Sequence, residues 1–234
     1  MSGLLEYGPE LDIYIVRHGH SAANEERVMQ GWADYPLSDL GIEQARNAGR
    51  YLAMSGVPVK AIYASPLSRA RRTAEEIAVR FRPALDVITV DELKEISIGS
   101  LTDTPIKQAE IEHPKFFEER RAEMVGFDKF GGESMEAFTE RVLNGLKIVF
   151  ENHVDGDSIV ITGHGGSNLV MLKLLFGFKG IHRFLKLHNC FIAKVIRRFI
   201  NGAYISKLDF FLSPEQQRLM VEGLKMTRGL VEED

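Results

Sequence analysis

The sequence predicts an α/β protein with a mostly parallel sheet, and three observations carry this prediction. Short apolar, strand-like runs alternate along the chain with amphipathic helical patterns. Two of these runs, Ile13–Val16 and Ser158–Thr162, each lead within two residues into a histidine. Late in the chain, Asn201-Gly202 lies between two further apolar runs, which is a strong hairpin signal. We therefore expect one strand at or near an edge of the sheet to be antiparallel.

Helix start and stop residues delimit the elements of the first half. Ser38 is an N-cap type residue, and Gly56 with Pro58 would end the helix that follows it. Pro66 suits a first helical turn, and Pro83 would end that helix. The predicted order is a strand over Leu11–Arg17, an irregular loop over 18–37, a helix over Leu40–Met54, a strand over Val59–Ala64, a helix from Pro66 to about Arg80 and a strand over Leu85–Val90.

The second half continues the alternation. Asp155-Gly156-Asp157 predicts a turn into a strand, and Gly177 would end the helix after that strand. The predicted order is a charged helix over Pro105–Met124, a turn over Asp128–Gly132, a helix over Glu133–His153, a strand over Ser158–Gly163, a helix over Ser167–Phe176, strands over Phe191–Arg197 and Ala203–Phe210, and a terminal helix from Pro214.

Composition limits the class of protein. The 234 residues are 44% hydrophobic and 26% charged, which suits one globular domain. A net charge of −4 gives no global attraction for nucleic acid or an anionic membrane, so neither partner is expected. The single cysteine, Cys190, excludes an internal disulfide and a cysteine-based metal cluster. Without a signal-like start or a membrane-length apolar run, a cytoplasmic location is expected.

Several short motifs follow one another in a fixed order. They are R-H-G-x-S-x-x-N over 17–24, Q-G over 30–31, S-P-L-S-R-A over 65–70, L-x-E-x-x-x-G over 93–99, G-G-E-S over 131–134 and G-H-G-G over 163–166.

This ordered set resembles the histidine phosphatase superfamily, the phosphoglycerate mutase-like enzymes, and the resemblance covers Leu11 to about Leu208. It implies a three-layer α/β/α sandwich whose mostly parallel sheet has an antiparallel edge strand. It also implies a single domain over 1–234 with a small helical insertion over the active site at about 104–130. No cofactor and no metal are implied.

The resemblance also implies roles for two arginines and two histidines. Arg17 and Arg69 match the family's phosphate-binding positions, and guanidinium groups bind phosphate bidentately. His18 matches the nucleophile, which must be neutral at its attacking nitrogen while a backbone carbonyl holds the other ring proton. His164 matches a donor to the phosphoryl oxygens. The neighbouring arginines should favour the neutral imidazole.

The alkoxide that leaves when a phosphomonoester is cleaved needs a proton, and the resemblance assigns this proton transfer to Glu95. Glu92 is the competing carboxylate close by. Gly165, beside the second histidine, lets the backbone approach the phosphate, and the helix expected from Ser167 would aim its N–H groups at the same ligand.

Four further positions belong to the predicted site. Asn24 and Ser21 are interpreted either as secondary phosphate contacts or as caps of the turn after the first strand. Gln30 and Gly31 are expected to line the substrate mouth.

The chain departs from the family pattern at two places. His20 stands where an acidic residue is usual, and Ser100-Leu101-Thr102-Asp103 replaces a Trp-Glu-Gly-like stretch. Neither change removes a predicted catalytic group.

The expected function is hydrolysis of a small phosphomonoester through a phosphohistidine, with mutase-type transfer as the alternative. The segment between Ser100 and Gly132 is short and in this resembles the phosphatase branch of the family, whose mutases carry a longer insertion between the general acid and the second histidine. Arg120-Arg121 lies where a substrate carboxylate or second phosphate would be held, although a solvated helix face is the favoured interpretation. Less favoured are a non-catalytic phosphate-binding protein and a metal hydrolase using His18, His20 and His164. The natural substrate and the oligomeric state stay open.

Overall fold

The computed structural model describes residues 8–177 and 187–228. Within these residues a six-stranded sheet has the strand order β3-β2-β4-β1-β5-β6. The strands are β1 Leu11–Arg17, β2 Val59–Ala64, β3 Val87–Thr89, β4 Asp157–Gly163, β5 Ile192–Ile200 and β6 Ala203–Leu212. The helices are α1 Ala22–Glu25, α2 Asp39–Met54, α3 Ser68–Ala78, α4 Ile106–Glu112, α5 Pro114–Glu123, α6 Met135–Phe150, α7 Gly165–Phe176 and α8 Pro214–Arg228.

The sheet is parallel at its centre and antiparallel at one side. β1 pairs in parallel with β4, β4 with β2, and β2 with β3. β5 runs antiparallel to β1, and β6 runs antiparallel to β5 through the predicted turn at Asn201-Gly202. The predicted α/β class, with its mostly parallel sheet and antiparallel edge, is confirmed.

Both faces of the central strands are buried, which explains their nearly continuous apolar sequence. Ile13, Ile159 and Ile161 point into a core formed with α6 and α7. Tyr14 and Val160 point the other way, into a second core. Residues of α2, α3 and α8 complete this second core: Leu52, Ile77 and Val221. Two helical layers thus enclose the sheet, as the resemblance implies.

The largest departure from the predicted elements lies in the charged stretch Pro105–Met124. It forms two helices, α4 and α5, because Pro114 cannot donate the hydrogen bond that would continue α4. Phe116 and Phe117 of α5 are buried in the core that the sheet forms with α6 and α7. The prediction that about 104–130 forms an insertion over the active site stays a prediction.

The remaining differences are smaller. The predicted strand Leu85–Val90 is reduced to β3, and α3 begins at Ser68 rather than around Pro66. The chain stays extended beyond β2 because the Ser65 amide donates to the carbonyl of Thr162 at 3.0 Å. The loop over 18–37 contains the short helix α1. No helix of the described ranges is both long and apolar enough to cross a membrane.

Candidate active site

The register between β1 and β4 brings the two predicted histidines together. Arg17 is paired with Gly163, so the next residues, His18 and His164, leave the sheet side by side. The His18 amide donates to the Gly163 carbonyl at 2.9 Å. The two imidazole rings lie 5.2 Å apart between centroids, and both are buried. The carboxyl ends of adjacent parallel strands thus form one site.

His18 is oriented by its own loop. Its Nδ1 lies 2.7 Å from the carbonyl oxygen of Gly19. Because a carbonyl can only accept, Nδ1 carries the proton and Nε2 carries a lone pair. Burial, followed by the charges of Arg17 and Arg69, holds the pKa of His18 well below its usual range. The neutral imidazole with a backbone-held proton, expected from the sequence, is the form this geometry supports.

His164 has a different partner. Its Nε2 lies 2.8 Å from Oγ of Ser65, while its buried Nδ1 has no hydrogen-bond partner among the described residues. The Ser65 Oγ accepts from the Leu67 amide at 3.3 Å, so its own proton is available to His164 Nε2. Burial and the charge of Arg69 keep the pKa of His164 well below its usual range.

Of the two predicted phosphate-binding arginines, Arg69 is buried and Arg17 is partly buried, and both are only partly satisfied. Arg17 donates from Nη1 to the Leu187 carbonyl at 2.5 Å. Arg69 donates to the carbonyls of Ala33 at 2.7 Å and Gly31 at 2.9 Å. The Nε atom of each arginine is buried without a partner in the described part of the chain. Burial lowers the pKa of Arg69 to about 10, which leaves it charged at neutral pH.

Glu95 occupies the start of α7. Its Oε2 accepts from the Gly166 amide at 2.9 Å, and its Oε1 accepts from the Ser167 amide at 3.2 Å. α7 itself begins at Gly165, two residues before the predicted start. The first-turn N–H groups, expected to face phosphate, therefore bind the carboxylate. A helix N-terminus stabilises either anion.

The glycines beside His164 make this approach possible. A Cβ at Gly166 would lie 2.3 Å from Glu95 Oε1, closer than atoms can come. A Cβ at Gly165 would meet only ordinary contacts, with Arg17 Nε at 3.7 Å and Glu95 Oε2 at 3.9 Å. The same point is thus within 4 Å of both the guanidinium and the carboxylate.

The competing carboxylate, Glu92, faces elsewhere. A Cβ at Gly145, on α6, would lie 2.9 Å from the Cβ of Glu92. Glu92 therefore packs against α6, whereas Glu95 lies against the turn that carries His164. This placement favours Glu95 over Glu92 as the predicted acid.

Ser21 and Asn24 form a reciprocal cap of α1. The Ser21 Oγ lies 3.0 Å from Asn24 Oδ1 and 3.1 Å from Oε1 of Gln30. The capping interpretation of Ser21 and Asn24 therefore has direct support, and Gln30 is tied to the same turn. Gly31, the other residue predicted at the mouth, supplies a carbonyl to Arg69.

His20 lies beside this site but turns toward α2. Its Nδ1 lies 3.0 Å from Oγ of Ser38, the N-cap of α2. Among the described residues no three histidine, cysteine or carboxylate side chains converge as a metal-binding group, so His20 does not join His18 and His164 in one.

The interpretation of Arg120-Arg121 as a solvated face is wrong for Arg120. Arg120 is partly buried, donates to the Val125 carbonyl and lies 4.1 Å from the centroid of the Phe127 ring. Burial lowers its pKa to about 10, and the charge of Glu95 opposes that shift. Arg121 is exposed and pairs with Glu110 at 3.2 Å, as a solvated residue would.

Two residues of the site were missed by sequence reasoning. Asn189 donates from Nδ2 to the carbonyls of His18 at 3.1 Å and Gly19 at 3.3 Å, so it fixes the loop of the proposed nucleophile. Arg141 donates to the carbonyl of Glu95 at 3.0 Å. Neither residue lies in a quoted motif, although Arg141 follows G-G-E-S by seven residues on α6.

One added methyl group should destabilise the protein at Gly166 but be tolerated at Gly165, the two glycines that follow His164. Gly166→Ala is expected to drive the Glu95 carboxylate off the start of α7 and to cost about 1–3 kcal/mol of unfolding free energy. Gly165→Ala is the matched control and should be tolerated. Crystal structures and urea unfolding of both variants check this, and an undisplaced Glu95 in Gly166→Ala would contradict it.

The histidine pair should make stability depend on pH. The native pKa values of His18 and His164 lie below the unfolded value near 6.5, so the unfolded chain binds more protons as the pH falls. Unfolding free energy should therefore decrease below about pH 6.5.

Replacing one of these histidines, as in His18→Asn, should reduce that slope by up to about 1.4 kcal/mol per pH unit. Urea unfolding between about pH 5 and pH 7 measures it. Equal slopes for wild type and variant would show that His18 has no depressed pKa.

Comparisons with known proteins identify the family of this chain. The model of the histidine phosphatase superfamily, branch 1, matches residues 13–199. A probable phosphoglycerate mutase, GpmB of Yersinia pestis, is 30% identical over 190 residues, which are 79% of this chain and 84% of that protein.

Two solved structures share the fold. A mycobacterial glucosyl-3-phosphoglycerate phosphatase aligns with a TM-score of 0.73 at 22% identity, covering 85% of this chain and 97% of that one. A phosphoserine phosphatase from Entamoeba histolytica, solved with 3-phosphoglyceric acid, aligns with a TM-score of 0.70 at 25% identity, covering 89% and 99%. The family match spans most of the chain, and the chain belongs to the histidine phosphatase superfamily, branch 1.

Proposed function

We propose that this protein hydrolyses a small phosphomonoester through a phosphohistidine formed on His18. One observation carries the proposal: within the described residues, three buried polar atoms without partners belong to residues around Nε2 of His18. They are Nε of Arg17, Nε of Arg69 and Nδ1 of His164. Two cationic N–H donors and one imidazole donor suit the oxygens of a phosphate dianion.

In the first step, Nε2 of His18 attacks phosphorus. A P–N bond forms while the P–O bond to the leaving group breaks, and the negative charge stays on the phosphoryl oxygens. Arg17 and Arg69 stabilise that charge electrostatically. His164 donates from Nδ1, since the Ser65 hydroxyl can supply the proton that Nε2 accepts.

Glu95 is proposed as the acid and then the base. It gives a proton to the leaving oxygen, and in the second step it takes one from the water that attacks the phosphohistidine. The Glu95 carboxylate and the Arg17 guanidinium both lie within 4 Å of the position that a Cβ at Gly165 would take, which supports this role. During turnover the carboxylate would leave its N–H partners on α7 in order to transfer these protons.

The net charge, the state of the single cysteine and the names of the structural relatives support a small phosphorylated metabolite as substrate and a cytoplasmic location. The net charge of −4 gives no global attraction for nucleic acid, so affinity for an anion has to come from Arg17 and Arg69. Cys190 is buried, and burial raises the pKa of its thiol, which suits an inert thiol in a reducing compartment. Both structural relatives described above are named as phosphatases of phosphorylated metabolites.

Arg120 favours a second candidate function, phosphoryl transfer of the phosphoglycerate mutase type. A partly buried cation whose charge interacts with Glu95 would hold a carboxylate on the substrate beside its phosphate. The same residue would serve a phosphatase of carboxylate-bearing phosphomonoesters. Phosphatase and mutase therefore differ in the acceptor of the phosphoryl group, which is water in the first and another oxygen of the substrate in the second.

Phosphate release from aryl and alkyl phosphomonoesters, in the presence of a chelator, tests the first proposal. We expect activity in wild type and its loss in His18→Ala. Glu95→Gln should slow alkyl esters by about 100-fold or more and activated aryl esters much less, because an aryl leaving group needs little protonation. Equal losses on both ester classes would remove the acid role, and full activity of His18→Ala would remove the phosphohistidine.

Following 3-phosphoglycerate for isomerisation and hydrolysis tests the second candidate. Arg120→Met should raise KM for this substrate by about 10-fold or more while leaving aryl phosphates unchanged, since only the former carries a carboxylate. Arg121→Met, which removes the exposed neighbour, is the control. Isomerisation faster than hydrolysis in wild type would establish the mutase, and an unchanged KM in Arg120→Met would deny the carboxylate contact.

A further inference from the structure

The segment that carries Glu95 is fixed from α6 by one side chain, Arg141. Nη1 of Arg141 donates to the carbonyls of Glu92 at 2.9 Å and Lys94 at 3.0 Å. Nη2 donates to the carbonyl of Glu95 itself at 3.0 Å. Three carbonyls around the proposed acid thus converge on one guanidinium.

Glu133 completes the arrangement on the other side. Its carboxylate accepts from Arg141 at both oxygens, from Nε at 2.8 Å and from Nη2 at 2.7 Å. The same Oε2 accepts from the Ser97 amide at 2.8 Å, and the Glu133 amide donates to the Ser97 carbonyl at 2.9 Å. The backbone is therefore held at Glu95 and again two residues later.

Every donor of Arg141 is used. A guanidinium has five N–H groups, and Arg141 makes two hydrogen bonds to Glu133 and three to backbone carbonyls. Arg141 and Glu133 are 18% and 17% exposed, so solvent replaces few of these contacts when they are lost. Lysine has three donors on a flexible stem and cannot reproduce the planar fork.

Arg141 does not itself lie among the groups proposed to touch phosphate. Its bonds go to the backbone of the acid segment, whose side chain reaches across to the first turn of α7. The indole of Trp32 adds one more donor to the Glu95 carbonyl, at 2.6 Å. Together these contacts set the direction in which the Glu95 side chain projects from the backbone.

We propose that Arg141, held by Glu133, is a positioning residue for acid–base catalysis by Glu95. This inference rests on the proposed hydrolase function and adds to it the device that aims the acid. A misaimed carboxylate delays protonation of the leaving group but leaves the phosphate-binding arginines and His18 in place. The effect should therefore grow with the basicity of the leaving group.

The test compares alkyl and aryl phosphomonoesters in Arg141→Met and Arg141→Lys. Both variants should lose about 10- to 100-fold in kcat on alkyl esters, with a much smaller loss on aryl esters and little change in KM. Combined with Glu95→Gln, Arg141→Met should add almost nothing. Arg218→Met, which breaks an exposed ion pair on α8, is the control and should change neither ester class.

Amide hydrogen exchange gives a readout that does not require turnover. Ile96 and Ser97 should exchange faster in Arg141→Met, whereas β1 and β4 should keep wild-type protection. If Arg141→Met does not fold, Glu133→Gln replaces it, because it keeps the size but weakens the charged pair.

The outcomes separate the two proposals. Inactive wild type removes the proposed hydrolase function, and full activity of His18→Ala removes the phosphohistidine. In either case the exchange result still judges the Arg141 contact. An active wild type with a Glu95 leaving-group effect, but equal losses on both ester classes in Arg141→Met, overturns the positioning role alone. Unchanged exchange at Ile96 and Ser97 overturns it as well.

Discussion

The parallel pairing of β1 with β4 is the constraint on which the site depends. Its register sets Arg17 opposite Gly163, so His18 and His164 emerge as neighbours from strands far apart in the sequence. Both strands are buried on both faces, and a slip by one residue would exchange their two faces between the two cores. The apolar packing that stabilises the fold therefore also fixes the distance between the two imidazoles.

The second organising feature is positive charge placed out of water. Arg17, partly buried at the end of β1, and Arg69, buried in the first turn of α3, act together with burial to depress the pKa values of both histidines. Backbone carbonyls satisfy part of each guanidinium. Burial lowers both arginine pKa values, and the charge of Glu95 at the start of α7 opposes that lowering. In this way a chain of net charge −4 can still form a site with high local affinity for anions.

The sequence was most informative where signals are local. The β-branched runs, the Asn201-Gly202 turn and the ordered motifs predicted the sheet and brought His18 and His164 to one edge. Contacts between distant segments were not predictable: Glu95 reaches the Gly166 amide across 71 positions, and no local pattern encodes that approach. Arg120 was misjudged for a related reason. The break at Pro114 starts α5 afresh, and the side of a helix on which a residue falls depends on where the helix begins and how it packs.

His18 should become phosphorylated during turnover. Rapid acid-free quenching of the enzyme with a labelled aryl phosphate measures this directly. We expect a phosphoenzyme that is stable to alkali and labile to acid, with the label on His18 and absent from His18→Ala. Turnover without any labelled protein, or label that persists in His18→Ala, would contradict it.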